Sequence, residues 1–86
     1  MIWFKNYTVD DLNSMRNANM GTHLGLEFIE IGDNFLSAKM PVDHRTVQPF
    51  GRLHGGANCV LSESLGSVAA WMCIDPDQYA AVGIEI

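Results

Sequence analysis

The sequence predicts an α+β fold in which one long helix is covered by antiparallel strands, and three stretches carry that expectation. Gln48 to Met72 reads as a polar loop, a glycine pair at Gly55 and Gly56, and then a long, small-faced helix expected to be buried. Two strand-like runs flank Gly32-Asp33-Asn34 ahead of it, and a third run, Ala80 to Ile86, follows it. At 86 residues the chain makes at most one domain, 1–86, with a core of marginal size.

Composition narrows the function classes. Hydrophobic residues make up 48% and charged residues 17%, which is the balance of a folded chain and not of a disordered one. A net charge of -5 excludes a phosphate-tracking nucleic-acid binder, because Lys5, Arg16, Lys39, Arg45 and Arg52 are scattered and outnumbered. The long helix is interrupted by Asn58, Ser62, Glu63, Ser64, Gly66 and Ser67, so no membrane span or membrane partner is expected. Cys59 and Cys73 lie fourteen positions apart on that helix, roughly 21 Å, too far for a disulfide, and read as core residues. With no C-x-x-C pair and no leader pattern at Met1 to Lys5, a reducing cytoplasmic setting is expected.

Taken in order, Tyr7 to Met15 predicts a short helix, with Thr8 as N-cap, Asp10 and Asp11 in the first turn, and an apolar stripe of Val9, Leu12, Met15 and Ala18. Asn17 to His23 reads as loop. Leu24 to Ile31 is strand-like, but Glu27 and Glu30 cannot both face water on an unbroken pleat, so a bulge or strand end is expected near Ile29. After the Gly32-Asp33-Asn34 turn, Phe35 to Met40 alternates cleanly, and Pro41 stops it. Val42 to Arg52 has no usable period and forms the loop that feeds the long helix. Val60, Leu61, Leu65, Val68, Ala69 and Met72 supply that helix's apolar face, and Asp75-Pro76-Asp77 ends it. Three strands are too few to wrap such a helix, so a chain cut after its second sheet segment, or one completed by partners, is expected.

Between Leu53 and Ile74, His54 aside, the only formally charged side chain is Glu63, and a carboxylate is rarely carried into a buried helix without a partner or a task. Ser67 stands four residues on, on the same face. Gln48, His54 and the Gly55 N–H at the helix tip form a second polar group suited to polarising a carbonyl oxygen. Eight residues separate Gly55 from Glu63, roughly 12 Å of helix, so both groups act on one carbonyl only if they come from different copies of the helix, antiparallel across a two-fold axis. No G-x-S-x-G motif occurs, and His23, His44 and His54 lack metal-ligand spacing.

The run Val42-Asp43-x-Arg45-Thr46-x-Gln48-Pro49-Phe50-Gly51-x-Leu53-His54-Gly55-Gly56-Ala57, followed by Glu63-Ser64-x-Gly66-Ser67, resembles the hotdog-fold acyl-CoA thioesterases. The similarity is to the branch of phenylacetate-pathway and 4-hydroxybenzoyl-CoA thioesterases, and it runs from Met1 to Ile86. The resemblance implies a hotdog fold and hydrolysis of an acyl-CoA with an aromatic acyl group, such as dihydroxynaphthoyl in menaquinone biosynthesis or benzoyl. It also implies sites at the interface of paired subunits, with dimers joined into a homotetramer, and no cofactor or metal. Glu63 would then be nucleophile or general base, the Gly55 N–H would polarise the thioester, Gln48 and His54 would orient it or the water, and Ser67 would assist. Val82 would begin the strand beside the CoA arm. Family members continue through further strands, so a non-catalytic hotdog module that only oligomerises or binds acyl groups stands as the alternative. A hotdog dehydratase using a His and Asp or Glu pair is a weaker third option.

Overall fold

A computed structural model describes residues 1–15 and 18–82. Five elements follow one another: α1 (Val9–Asn13), α2 (Met20–His23), β1 (Glu27–Ile31), β2 (Leu36–Lys39) and α3 (Gly55–Met72).

Local chemistry accounts for most boundaries. Thr8 caps α1 through a reciprocal box, its hydroxyl accepting from the Asp11 N–H while the Asp11 carboxylate accepts from the Thr8 N–H. The helix ends at Asn13, earlier than the apolar stripe predicts, and only Leu12 of that stripe is buried, with Ala18 exposed. The Asn13 side chain explains the stop, because it leaves the helix to bond both the N–H and the carbonyl of Phe28, each at 2.9 Å. The expected loop before β1 is partly helical instead. Asn19 caps α2, its side chain accepting from the Thr22 N–H at 3.0 Å while the Thr22 hydroxyl takes the Asn19 N–H. Gly25 then turns the chain with φ +81, and a Cβ there would press on Pro41 and the Arg45 guanidinium at 2.8 Å.

β1 and β2 form an antiparallel hairpin whose register shifts between Phe28 and Glu30, which places the bulge at Ile29. The extra residue lets Glu27 and Glu30 both face solvent while Phe28 points into the core. Trp3, Leu12, Phe28 and Met72 make that core. Its assembly depends on the first residues of the chain: the Ile2 N–H bonds the Asp33 carbonyl, the Phe4 N–H bonds the Met72 carbonyl, and the Trp3 indole N–H donates to Gly32 O at 2.6 Å. The amino-terminal segment therefore ties the hairpin turn to the far end of α3.

The expectation of a fully buried α3 is corrected for this single chain, since Met72 is the helix residue that is buried and Leu61, Leu65, Val68 and Ala69 are half-buried. A radius of gyration of 13.8 Å, against roughly 12 Å for a compact domain of this length, fits a helix lying on the small sheet without being enclosed by it. Cys59 and Cys73 are likewise exposed, not core: Cys59 lies near the start of α3, where Gly55, Gly56 and Asn58 are also exposed, and Cys73 is the residue that caps its end. Of the predicted third strand, residues 80–82 are irregular and exposed, and residues 83–86 lie outside the described residues. No helix among the described residues is long and apolar enough to cross a membrane.

Candidate active site

The sequence of α3 dictates a mixed face. Glu63, Ser67 and Trp71 recur every four residues, and Ser64 and Val68 form the adjacent row, so all five point the same way. In the structure this face forms one wall of a cleft of about 810 Å³, opposite α1, α2 and β1. Leu12, Met15, Leu26, Phe28, Val68 and Trp71 give the cleft apolar surface, and Asn13, Asn19, Thr22, Glu63, Ser64 and Ser67 bring polar groups to it. The Ser67 hydroxyl donates to Glu63 Oε1 at 2.8 Å, which orients the carboxylate and leaves its other oxygen available. Tyr7 packs at a tilt of 42° on Trp71, with ring centroids 5.0 Å apart, and helps hold the indole beside the cleft.

Trp71 stands four residues beyond Ser67 and eight beyond Glu63, the helical spacing that brings it to the cleft.

The second polar group lies at the other end of the same helix. His54 is the N-cap, and its Nδ1 accepts the Gly56 N–H at 2.8 Å. A ring nitrogen that accepts must carry a lone pair, so the neutral imidazole holds its proton on Nε2 and presents a donor outward. Gly56 leaves room for this bond, because a Cβ there would stand 3.0 Å from the imidazole and the ring would have to give way. Gln48 behaves alike. Its Oε1 accepts the Phe50 N–H at 2.5 Å, which leaves the side-chain NH2 group as the free face of the amide. The Gly55 N–H bonds no group among the described residues, and nothing lies within 4 Å of the position of a Cβ at Gly55. Gln48, His54 and Gly55 therefore offer donors, whereas Glu63 and Ser67 offer an oriented acceptor.

The loop before α3 holds this tip in place. Val47 pairs with Leu53, the Gln48 N–H bonds Arg52 O, and the His54 N–H bonds Thr46 O at 2.8 Å. Upstream, Arg45 grips Asp43 at 2.6 Å and donates to the carbonyl of His23 at 3.2 Å, which fastens the loop to α2. The side-chain bond from Arg45, helped by the Arg45 backbone N–H, lowers the Asp43 pKa to about 2.

Five predicted site residues are thus found in two groups. Glu63 and Ser67 meet in the cleft; Gln48, His54 and Gly55 gather at the helix tip and do not line it. Val82 is 82% exposed and is not among the cleft residues.

No family model matches the chain. It is 52% identical, over all 86 residues, to a 1,4-dihydroxy-2-naphthoyl-CoA hydrolase of Escherichia coli, and spans 62% of that relative's length. Among solved structures, a thioesterase from Pseudomonas aeruginosa, crystallised as a glutamine-to-alanine mutant, superposes with a TM-score of 0.95 at 46% identity. That match covers 99% of this chain and 61% of the other. A thioesterase from Haemophilus influenzae matches with a TM-score of 0.85 at 43% identity, over 88% of this chain and 53% of that one. These are close homologues, and the fold is the hotdog fold they share.

Proposed function

We propose that this chain, as a homologue of those thioesterases, hydrolyses an acyl-CoA thioester bearing an aromatic acyl group, and does so at a site shared between two copies. The observation that carries the reading is the Glu63 carboxylate, held by Ser67 at 2.8 Å in an otherwise largely apolar cleft. A polar acid in such a place is suited to attack or to base catalysis, and the indole of Trp71 with the ring of Phe28 suits a planar acyl group. The Escherichia coli relative, a 1,4-dihydroxy-2-naphthoyl-CoA hydrolase, supports an aromatic acyl group of the dihydroxynaphthoyl kind, which would place the reaction in menaquinone biosynthesis.

In the proposed reaction the thioester carbonyl lies between Glu63 of one copy and the helix tip of the other. Glu63 either takes a proton from water as the water oxygen bonds to the carbonyl carbon, or bonds to that carbon itself to form an anhydride that water then opens. In both routes the carbonyl oxygen gains negative charge, which the Gly55 N–H and the positive end of α3 stabilise, with the Gln48 and His54 donors orienting substrate or water. The carbon–sulfur bond then breaks, and the CoA sulfur leaves as thiolate and is protonated. Antiparallel pairing of two α3 helices would bring the tip of one to the middle of the other, and dimers of that kind would pair into tetramers. Val82 would lie along the CoA arm. Two unpaired, exposed thiols fit a reducing, cytoplasmic setting.

Release of CoA from benzoyl-CoA and 1,4-dihydroxy-2-naphthoyl-CoA tests the reading. Glu63→Gln is expected to lower kcat by about 10² to 10⁴; equal rates for the two proteins would remove Glu63 from the mechanism. A single turnover in ¹⁸O water probes the routes, since an unlabelled first acid with ¹⁸O left on Glu63 requires an anhydride that water opens at the Glu63 carbonyl.

A further inference from the structure

We infer that Thr46 is the positioning residue that sets the donor tip of α3, acting through His54; this rests on the proposed thioesterase site. Among the described residues Thr46 is the buried polar one, 1% exposed, although it sits in an otherwise accessible loop. Its hydroxyl donates to Pro41 O at 2.8 Å and accepts the Asp43 N–H at 3.0 Å. Its own N–H bonds Asp43 O, and its carbonyl accepts the His54 N–H at 2.8 Å. From there the link continues through His54 Nδ1 to the Gly56 N–H, at 2.8 Å.

The hydroxyl thus fixes Thr46 to the segment that follows the hairpin, the Thr46 carbonyl carries the link on to the cap of α3, and every bond in the series is 2.8–3.0 Å. Gly55 lies between the two residues this series fixes, His54 and Gly56, so the direction of the Gly55 N–H is set from Thr46. The neighbouring Asp43 and Arg45 grip the loop from solvent, whereas Thr46 holds it from within. Removing a buried hydroxyl leaves the Asp43 N–H without an acceptor and releases Pro41 O, which frees the tip to shift. Catalysis by aligned donors is sensitive to small displacements, while binding spread over a long substrate is not.

Thr46→Val keeps the shape and removes the hydroxyl; Thr46→Ser keeps the hydroxyl. With benzoyl-CoA as probe, Thr46→Val is expected to lower kcat about tenfold or more, with KM changed less than about threefold, and Thr46→Ser to restore kcat. Amide hydrogen exchange at His54 and Gly56 should quicken in Thr46→Val and not in Thr46→Ser. An active wild type with Thr46→Val at wild-type kcat overturns the role. If the wild type releases no CoA, the thioesterase reading fails separately, and the exchange rates decide: faster exchange in Thr46→Val alone supports the anchor, and unchanged exchange overturns it.

Discussion

Mixing two crippled chains tests the shared site at its weakest joint. Gly55 and Glu63 are separated by eight residues of one unbroken helix, roughly 12 Å along its axis, whereas donor and base must both approach a single carbonyl to about 3 Å. If both groups act on one carbonyl, as proposed, a single chain cannot supply them, and the site requires the tip of one chain with the acid of the other. Gln48→Ala removes a donor from the tip, at a bond that is exposed and carries little of the fold; Glu63→Gln removes the acid. Each protein alone is expected to lose activity by about 10²-fold or more. Unfolded together in equal amounts and refolded, they give about one half mixed dimers, and each mixed dimer has one intact and one doubly damaged site, so about one quarter of wild-type activity returns. CoA release before and after mixing is the assay. A mixture no more active than the sum of its parts would refute the reasoning, because it would mean that both groups serve the same substrate from the same chain, or none.

Ser67→Ala leaves Glu63 in the cleft without its 2.8 Å donor, and kcat is expected to fall about tenfold with the melting temperature little changed. The acid limb of stability should depend on Asp43. Its folded pKa, about 2, lies below the ordinary aspartate value of 3.8, so its contribution is complete above the unfolded value and is lost as pH falls through about 2. Asp43→Asn should therefore melt lower than wild type near pH 6, with the difference vanishing toward pH 2; a gap that widens in acid would contradict the Arg45 assignment. Met72→Ala empties a fully buried position under Trp3 and Phe28, and denaturant unfolding should report a loss of about 2–4 kcal/mol.

Much of the fold could be read locally. The Thr8 cap and the start of α3 at Gly55 each follow from residues within one turn of the boundary. Glu27 and Glu30, two carboxylates three apart that both demand water, called for a bulge or a strand end near Ile29, and the pairing with β2 decided for the bulge. α2 was overlooked because Asn19 and Thr22 cap a helix of four residues, too short to show an apolar period. Cys59 and Cys73 were misplaced because small apolar residues along all of α3 do not say how much of its length the rest of the chain covers.

What the sequence by itself determined is the chemistry and its spacing: a lone acid at 63, a hydroxyl four residues on, a glycine-rich donor tip eight residues before, and the two strands that carry the helix. Helical periodicity alone puts Glu63 with Ser67 and keeps both from Gly55. Only the tertiary structure decided that Trp71 joins the acid in a cleft against α1, α2 and β1, that Trp3 closes the core, and that Thr46 lies buried beneath the helix cap. Each of these depends on contacts between residues distant in the chain, made by a side chain whose type fits several environments. A tryptophan or threonine becomes cleft wall or anchor according to what folding brings beside it.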